Sequence, residues 1–394
     1  MNICKLYLKP RKEESLLRFH PWVFSGAVES VSGRVEEGEP VEVYDAARRF
    51  MGIGHYQIGS IAVRILSFQP ADIDHAFWVQ RLRAAYDLRR TLGLQADGND
   101  TFRLVYGEGD MLPGLVVDVY GPMAVMQAHS VGMHRARTVI AAALKETMGD
   151  ALQCIYYKSE GTLPFKAALG EENEFLLGRA PEEAIAVENG LRFHVDWQKG
   201  QKTGFFVDQR ENRALLETYA RGRSVLNMFC YTGGFSVYAM RGEAGAVHSV
   251  DSSAKAISLT EKNVERNFPG DARHRTFVAD AFDFLGKTGD AYDLIVLDPP
   301  AFAKHKDVLR NALQGYRKLN ALAIEKIRTG GILFTFSCSQ VVARNDFRLA
   351  VFSAAAQSGR RVRILHQLTQ PADHPVNIYH PEGEYLKGLV LYVE

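Results

Sequence analysis

The stretch that most constrains the fold is residues 225–236, Val-Leu-Asn-Met-Phe-Cys-Tyr-Thr-Gly-Gly-Phe-Ser, where a short apolar run ends in a glycine turn and a helical pattern follows. A buried parallel strand, a tight turn and a helix N-terminus form the geometry in which α/β folds hold a nucleotide-like ligand. The glycine spacing differs from G-x-G-x-x-G, so a dinucleotide is not the favoured ligand. Gly-Gly by itself also fits an ordinary strand-to-helix turn, so the case depends on the strands that follow.

Apolar strand-like runs and helical patterns alternate through the C-terminal half of the chain. A strand-like run at 191–195 leads into residues 200–210. Five strands are then predicted at 225–229, 246–250, 276–279, 293–297 and 332–336, with helices between them such as 254–267 and 306–328. Two further β-like runs, 362–368 and 386–393, follow with no helix between them. The alternation predicts a doubly wound parallel sheet, and the closing pair predicts an antiparallel edge strand. We therefore predict an α/β domain over residues 186–394.

Residues 1–70 have the pattern of a small β domain. Short runs at 41–44, 50–53 and 61–66 are separated by Gly, Asp and Pro, which are turn signals. A basic arm lies ahead of them and contains Lys5, Lys9, Arg11, Lys12, Arg18 and His20, followed by Pro21-Trp22-Val23-Phe24. Basic side chains beside aromatic rings suit contacts to RNA phosphates and bases, which makes Arg18, His20 and Trp22 candidate RNA contacts. The alternative is a solvated charged face with Trp22 and Phe24 in the core.

Residues 71–185 are predicted to form a compact α+β unit. Asp72 or Asp74 can cap a helix that runs to about Leu94 and carries apolar residues on one side. Strands are predicted at 102–106, 115–120, 124–129 and 155–157, with a helix at 133–148.

Charge and cysteine usage restrict the compartment and the partners. The net charge of +1 over 394 residues gives no general attraction to nucleic acid or membrane, so any RNA-binding face must come from local clustering. The four cysteines show neither C-x-x-C spacing nor a disulfide-dense pattern, which indicates reduced thiols in a cytosolic protein. No apolar run has the length of a membrane span and the N-terminus has no signal-peptide core, so we expect a cytoplasmic protein without membrane contact.

Polar residues follow the first three strands of the predicted sheet. Asn227 and the Thr232-Gly233-Gly234 turn mark the first strand, Asp251 follows the second, and Asp280 follows the third. Ligands of such sheets bind beyond the carboxyl ends of the strands. There Asp251 can accept from ribose hydroxyls and Asp280 from an adenine amino group. Each acid by itself also fits a helix cap, but their joint placement indicates an adenosine ligand.

The fourth strand ends in Asp298-Pro299-Pro300-Ala301-Phe302. Two prolines remove backbone donors and fix the chain, which leaves carbonyl groups and the Asp298 carboxylate facing the pocket. These acceptors match the exocyclic amino group of a nucleobase, and Phe302 can stack on a flipped ring. A plain rigid turn is the alternative.

The fifth strand ends in Ser337-Cys338-Ser339. A cysteine at a strand end is most often an inert small hydrophobe, but Cys338 lies at the same edge as Asp298. A thiolate there can add to carbon 6 of a pyrimidine and make carbon 5 nucleophilic, provided that its pKa is lowered or a base takes its proton. Cys230 lies inside the cofactor turn and is interpreted as packing. Cys4 and Cys154 are interpreted as structural.

Motifs spread over nearly the whole chain resemble bacterial large-subunit rRNA cytosine-5 methyltransferases of the RlmI type. The matching segments are 20–26, 202–210, 227–235, 298–302, 336–339, 372–375 and 384–388. The resemblance implies a PUA domain at 1–70, a central α+β domain at 71–185, and a Rossmann-like class I methyltransferase domain at 186–394 that uses S-adenosylmethionine. It also implies 23S rRNA as the partner. A homodimer is a further prediction.

The resemblance also assigns site residues. It implies that Cys338 is the nucleophile and that Asp298 lies between cofactor and target base. Predicted cofactor contacts are Lys202, Thr203 and Gly204 as part of a lid, together with Asn227, Phe229, Tyr231, Thr232, Gly233, Gly234, Asp251, Ser252, Asp280, Ala281 and Asp298. Predicted substrate contacts are Pro299, Pro300, Phe302, Arg18, His20 and Trp22.

The predicted activity is formation of 5-methylcytosine in large-subunit rRNA through a covalent cysteine adduct. An amino-methyltransferase is the nearest alternative, because an Asp-Pro-Pro turn also suits a base whose exocyclic nitrogen is itself the nucleophile. A non-catalytic RNA-binding factor in ribosome assembly is an alternative from another class. A nicotinamide oxidoreductase is the weakest, since the glycine fingerprint is missing.

Overall fold

The computed structural model describes residues 3–96, 98–163, 173–289, 291–303 and 305–394. The chain divides into two compact units. The first unit comprises Met1–Gly190, Val195–Val207 and Ala372–Gly383, and the second comprises Leu191–His194, Asp208–Pro371 and Glu384–Glu394. The two units therefore do not correspond to a single cut in the sequence.

The N-terminal part of the first unit is a six-stranded sheet with strand order β2-β6-β5-β4-β1-β3. Its elements are β1 (Cys4–Leu8), helix α1 (Glu14–Leu17), β2 (Trp22–Phe24), β3 (Val28–Val31), β4 (Pro40–Tyr44), β5 (Phe50–Tyr56) and β6 (Ile61–Ser67). The strands predicted near 41–44, 50–53 and 61–66 are confirmed. The prediction that the basic residues form an arm ahead of the sheet is wrong for Lys5. This residue lies in strand β1, which pairs with β3 and β4.

A five-stranded sheet with order β11-β10-β9-β8-β7 forms the rest of the core of the first unit. Its strands are β7 (Thr101–Tyr106), β8 (Leu115–Tyr120), β9 (Met123–Ala128), β10 (Cys154–Tyr157) and β11 (Glu174–Leu177), with α2 (His75–Thr91), α3 (Val131–Arg135), α4 (Arg137–Met148) and strand β12 (Ile185–Glu188). Helix α2 begins as predicted, since Asp74 Oδ1 accepts from the Phe77 backbone N–H at 2.9 Å. Strand β11 lies where no element was predicted.

Residues 372–383 pack within the first unit. The Asp373 carboxylate accepts from the Arg103 backbone N–H at 2.9 Å, and the Asp373 carbonyl accepts from the buried Arg89 guanidinium at 2.7 Å. The Tyr106 hydroxyl donates to the Gly383 carbonyl at 2.6 Å. Both ends of this segment are therefore tied to side chains or backbone groups of the first 110 residues.

The second unit is built on a seven-stranded sheet with order β16-β15-β14-β17-β18-β20-β19. Its strands are β14 (Ser224–Met228), β15 (Ala246–Asp251), β16 (His274–Val278), β17 (Tyr292–Leu297), β18 (Ile327–Ser337), β19 (Val362–Leu368) and β20 (Lys387–Val393), and a separate strand is β13 (Leu191–His194). Its helices are α5 (Arg210–Ala220), α6 (Gly234–Arg241), α7 (Ala254–Asn267), α8 (Ala281–Lys287), α9 (Leu309–Lys326) and α10 (Arg344–Ser358). The first five strands in order of sequence are parallel, and β20 is antiparallel to β18 and β19. The predicted doubly wound sheet is confirmed and includes an antiparallel strand, but this strand, β20, lies between β18 and the edge strand β19 rather than at the edge itself.

Strand register brings the polar strand ends together. Met228, the last residue of β14, lies opposite Val250 of β15 and Leu297 of β17, and Leu297 lies opposite Thr335 of β18. The residues that follow these strands therefore share one edge of the sheet, where open α/β sheets bind ligands. None of the helices in the described part of the chain has the length and apolar character that crossing a lipid bilayer would need.

Candidate active site

The turn after β14 has an unusual backbone. Phe229 (φ 58°), Tyr231 (φ 48°) and Gly233 (φ 78°) all adopt the left-handed region, which non-glycine residues rarely enter. Helix α7 holds this shape, since Thr260 Oγ1 donates to the Tyr231 carbonyl at 2.9 Å and Asn263 donates to the next carbonyl at 2.8 Å. Strain of this kind persists only where surrounding contacts determine it and is concentrated at ligand sites.

Close approach and a left-handed backbone require glycine at position 233, and the space at Gly234 is tight. A Cβ on Gly233 would lie 2.7 Å from Cγ2 of Thr260, and a Cβ on Gly234 would lie 3.0 Å from Cδ of Arg213. Thr232, between these contacts and the strand, is buried. Gly234 begins helix α6, so backbone N–H groups at the start of this helix face the end of the sheet.

Asn227 and Asp251 offer acceptors at this edge. Asn227 donates to Ser236 Oγ at 2.8 Å, while its buried Oδ1 has no hydrogen-bond partner within the described residues. Asp251 accepts from the backbone N–H groups of Tyr231 at 3.1 Å and Ser253 at 2.9 Å. Each carboxylate oxygen has two lone pairs, so Asp251 can still accept from hydroxyl groups. An unpartnered buried amide oxygen requires a donor from outside the chain, which a bound ligand can supply.

Asp280 acts as a helix cap. Its Oδ1 accepts from the backbone N–H groups of Phe282 at 2.8 Å and Asp283 at 3.1 Å, so the capping interpretation is observed. Ala281 begins α8 and is buried, and Ser252 is exposed between β15 and α7. Contacts of these residues with adenosine stay predictions.

Asp298 has an altered acidity. Burial, together with the nearby Asp208 carboxylate, raises the pKa of its carboxyl group to about 7, while a hydrogen bond from Gln209 and the charge of Arg213 oppose the rise. Near neutral pH this carboxyl group is therefore present in both protonation states, so it can donate to or accept from a nucleobase edge. Pro299 is buried and Pro300 is exposed.

Asp208 is a site residue that sequence reasoning did not assign, although it lies in the 202–210 motif. The Tyr385 hydroxyl donates to its Oδ2, and its buried Oδ1 has no hydrogen-bond partner within the part of the chain that the structure describes. Its charge raises the pKa values of both Asp298 and Cys338. The signal available in the sequence was an acid two residues before helix α5.

Cys338 lies at the Asp-Pro-Pro turn, with its Sγ 3.9 Å from the Pro299 carbonyl oxygen. The residue is partly exposed rather than turned into the core. Tyr316 of α9 holds the two serines that flank Cys338. Ser337 Oγ donates to the Tyr316 hydroxyl at 2.9 Å, and Ser339 Oγ lies 3.2 Å from the same hydroxyl. Burial raises the pKa of the thiol to about 12, with the carboxylates of the site adding to the rise and a lysine ammonium opposing it.

Phe302 packs on α9. Its ring centroid lies 4.7 Å from that of Tyr316 at an interplanar angle of 33°, and a Cβ on Gly315 would lie 3.0 Å from the Phe302 ring. Tyr316 therefore occupies one face of the ring. Stacking of a flipped base on Phe302 stays a prediction.

The predicted lid residues belong to the first unit. Lys202 is exposed with φ 52°, whereas Thr203 is buried and donates to Asp118 Oδ2 at 2.6 Å. Gly204 has φ 114°, and a Cβ there would lie 2.8 Å from the Trp197 backbone. Thr203 and Gly204 are thus fixed inside the first unit, and their cofactor contacts stay predictions.

The predicted RNA contacts of the first unit each face an acid. Arg18 pairs with Glu14, His20 Nε2 lies 3.5 Å from Glu382 Oε2, and the Trp22 indole donates to Glu108 Oε1 at 2.9 Å. The alternative that places Phe24 in the core is wrong, since this residue is 45% exposed. RNA binding by Arg18, His20 and Trp22 stays a prediction.

Comparison with known proteins identifies the family. The profile of the S-adenosylmethionine-dependent methyltransferases matches residues 163–383, and that of the PUA-like domains matches residues 6–68. The curated relative named ribosomal RNA large subunit methyltransferase I from Tolumonas auensis is 40% identical over 393 residues, 98% of each chain. Its namesake from Erwinia tasmaniensis is 39% identical over 395 residues, 99% of each chain. This chain belongs to the ribosomal RNA large subunit methyltransferase I family.

Solved structures agree with this family assignment. An S-adenosylmethionine-dependent methyltransferase from Streptococcus mutans is 24% identical, covers 100% of both chains and has a TM-score of 0.83, which shows the fold. A methyltransferase complexed with SAH is 25% identical over 100% of both chains, with a TM-score of 0.85. The family member described here is therefore an S-adenosylmethionine-dependent methyltransferase with an N-terminal PUA-like domain.

Proposed function

We propose that this family member forms 5-methylcytosine in large-subunit (23S) rRNA through a covalent adduct on Cys338. The observation that carries the proposal is the position of the Cys338 thiol, 3.9 Å from the carbonyl that follows Asp298. A nucleophilic sulfur beside a nucleobase-binding turn is what carbon methylation of a pyrimidine requires, because carbon 5 must first be activated by addition at carbon 6. The names of the curated relatives support rRNA as the substrate.

The residues at the ends of β14 and β15 fit S-adenosylmethionine. The unpartnered Oδ1 of Asn227 and the spare lone pairs of Asp251 suit the polar groups of the cofactor, and the turn at Thr232–Gly234 leaves backbone exposed beside them. When bound, the cofactor supplies an electrophilic methyl group. Asn227, Asp251 and the glycine turn then bind and orient it.

Asp298 binds the target base, and Cys338 reacts with it. Asp298 holds the edge of the cytosine that carries its amino group, with a carboxyl group that can hold or release a proton near neutral pH. The thiolate forms a bond to carbon 6 as the carbon 5–carbon 6 double bond opens, which makes carbon 5 nucleophilic. After carbon 5 is methylated, its proton leaves to a base, the double bond re-forms and the carbon–sulfur bond breaks to return the thiolate.

RNA that contains 5-fluorocytosine tests the proposal, because fluorine at carbon 5 prevents the last step. With cofactor present we expect a covalent protein–RNA complex that mass spectrometry maps to Cys338, and no complex with Cys338→Ala. Trapping that survives Cys338→Ala would exclude this nucleophile. Full methyl transfer by Cys338→Ala would instead favour methylation of an exocyclic amino nitrogen.

We also propose domain boundaries near residues 70 and 185, RNA contacts from the N-terminal domain, and a cytoplasmic location. The PUA-like match at 6–68 supports the first boundary. Limited proteolysis followed by mass spectrometry tests both boundaries, and filter binding of rRNA fragments by Trp22→Ala tests the RNA contact. A homodimer stays a prediction that analytical ultracentrifugation can check.

A further inference from the structure

Lys387 is a buried lysine at the start of the antiparallel strand β20, which lies between β18 and β19. Only 3% of it is exposed, and its Nζ donates to the Ser339 carbonyl at 2.7 Å. Because β20 runs antiparallel to β18, Lys387 lies directly opposite Ser337. The first residue of β20 therefore lies at the end of β18 that carries Cys338.

The ammonium group of Lys387 is not neutralised by a neighbouring acid. Within the described residues, no carboxylate lies within 4 Å of its Nζ, and Glu384, three residues earlier, pairs with Arg344. A buried ammonium is costly unless it is paired, so an unpaired lysine at this position needs another reason. An anion that forms only during the reaction is such a reason.

The backbone around Lys387 is rigid. Leu386 is fully buried, and a Cβ on Gly388 would lie 2.6 Å from the Phe336 ring, so only glycine allows this close approach of the two strands. The lysine side chain therefore starts from a fixed point. A flexible surface lysine would not hold its charge at a defined place.

The Cys338 thiol has charged and titratable groups on several sides. They are Asp298 after β17, Asp208 before α5, Tyr316 of α9 and Lys387 of β20. Arg213 acts on Asp298, and Glu384 and Arg344 act on Lys387. Asp298 and Asp208 raise the pKa of the thiol, and Lys387 lowers it. Lys387 is thus the cation that offsets the two carboxylates.

We propose that Lys387 is a positioning residue for Cys338, whose ammonium stabilises the thiolate and whose bond to Ser339 fixes the turn that carries it. This inference rests on the proposed role of Cys338 as the nucleophile. In the ionisation step the S–H bond breaks, the proton passes to water, and the electron pair stays on sulfur. Lys387 keeps its three protons throughout.

The Lys387 side chain carries its positive charge only over part of the accessible pH range. Burial lowers its pKa to about 8, so the ammonium form dominates below that pH and is lost above it. Its effect on the thiolate should therefore be large at pH 7 and small at pH 9.5. A purely structural lysine would change Cys338 reactivity by the same factor at both pH values.

The test is the rate at which iodoacetamide alkylates Cys338 in the full-length protein, followed by mass spectrometry of the Cys338 peptide. We expect Lys387→Met to slow alkylation about fivefold or more at pH 7 and less than about twofold at pH 9.5, since alkylation rate follows the thiolate fraction. Lys387→Arg should match the parent at pH 7 and exceed it at pH 9.5, because arginine keeps its charge. The control is Lys326→Met, which removes the lysine directly before β18, at the opposite end of that strand from Cys338.

Three outcomes would overturn the inference: an unchanged rate in Lys387→Met, the same slowing at both pH values, or equal slowing in Lys326→Met. If Lys387→Met does not fold, Lys387→Arg decides alone, because a rate at pH 9.5 no higher than that of the parent contradicts the proposal. Circular dichroism and cofactor binding confirm that each variant is folded. Alkylation does not depend on methyl transfer, so failure of 5-fluorocytosine trapping would remove the proposed function and leave this result standing.

Discussion

Two cysteines follow strands of the same parallel sheet, and burial raises the pKa of each thiol to about 12. Cys230 follows β14 inside the strained turn, where its Sγ lies 3.5 Å from Thr260 Oγ1 and the nearest charge is the Asp251 carboxylate. Cys338 follows β18 beside the Pro299 carbonyl and is partly exposed. Acidity alone therefore does not distinguish the two thiols.

The neighbours distinguish them. Around Cys338 lie a buried ammonium group, a carboxyl group with a pKa near 7, and a proline turn in which Pro300 is exposed. Around Cys230 the side chains come from the turn and from α7, and they fix backbone shape. Desolvation makes a thiol inert by default, and only an added cation and access to a ligand make such a thiol useful in catalysis.

The largest expected difference between the two thiols is in methyl transfer. Cys338→Ala should lower the transfer of labelled methyl groups to rRNA by about a thousandfold or more, as loss of a nucleophile does, while Cys230→Ala should change it less than about fivefold. Both variants should bind S-adenosylmethionine with the affinity of the parent. A large loss in Cys230→Ala with unchanged cofactor binding would break the comparison.

The affinity for S-adenosylmethionine should depend on Asp251, which lies next to the turn that contains Cys230. Asp251→Asn should weaken S-adenosylmethionine binding about tenfold to a hundredfold, because hydrogen bonds to a charged acceptor are worth about 1.5–3 kcal/mol each. Isothermal titration calorimetry measures this, with Asp283→Asn in α8 as the control. Equally weakened cofactor binding in Asp251→Asn and Asp283→Asn would show that the loss comes from the changed net charge and not from a specific contact of Asp251.

The smallest expected effect is on thermal stability and concerns the carboxyl group beside Cys338. The pKa of Asp298 is raised from 3.8 to about 7, so its contribution to stability is present below pH 4 and is lost as the pH rises toward 7. Asp298→Asn does not titrate, so its Tm relative to the parent should rise by a few degrees between pH 4.5 and 7.5. Differential scanning fluorimetry measures the difference, and Asp283→Asn should show no such trend. A difference that does not change with pH would contradict the assigned acidity.

Much of the local structure was determined by the sequence by itself. Helix α7 and strand β19 have the predicted bounds, and Asp74 caps α2. Strand ends carrying Asn227, Asp251, Asp298 and Cys338 were all predicted at one edge, where the structure places them. These features follow from short-range periodicity, from capping chemistry and from the rule that parallel strand ends share an edge, all of which need only nearby residues.

Only the tertiary structure decided which distant residues meet. The left-handed backbone of Phe229 and Tyr231 depends on α7, and Lys387 reaches the Cys338 turn through the register of two antiparallel strands. Residues 372–383 pack in the first unit although they follow β19 of the second unit in sequence. Strand register and long-range packing are set by contacts between residues far apart in the chain, and local patterns carry no record of those contacts.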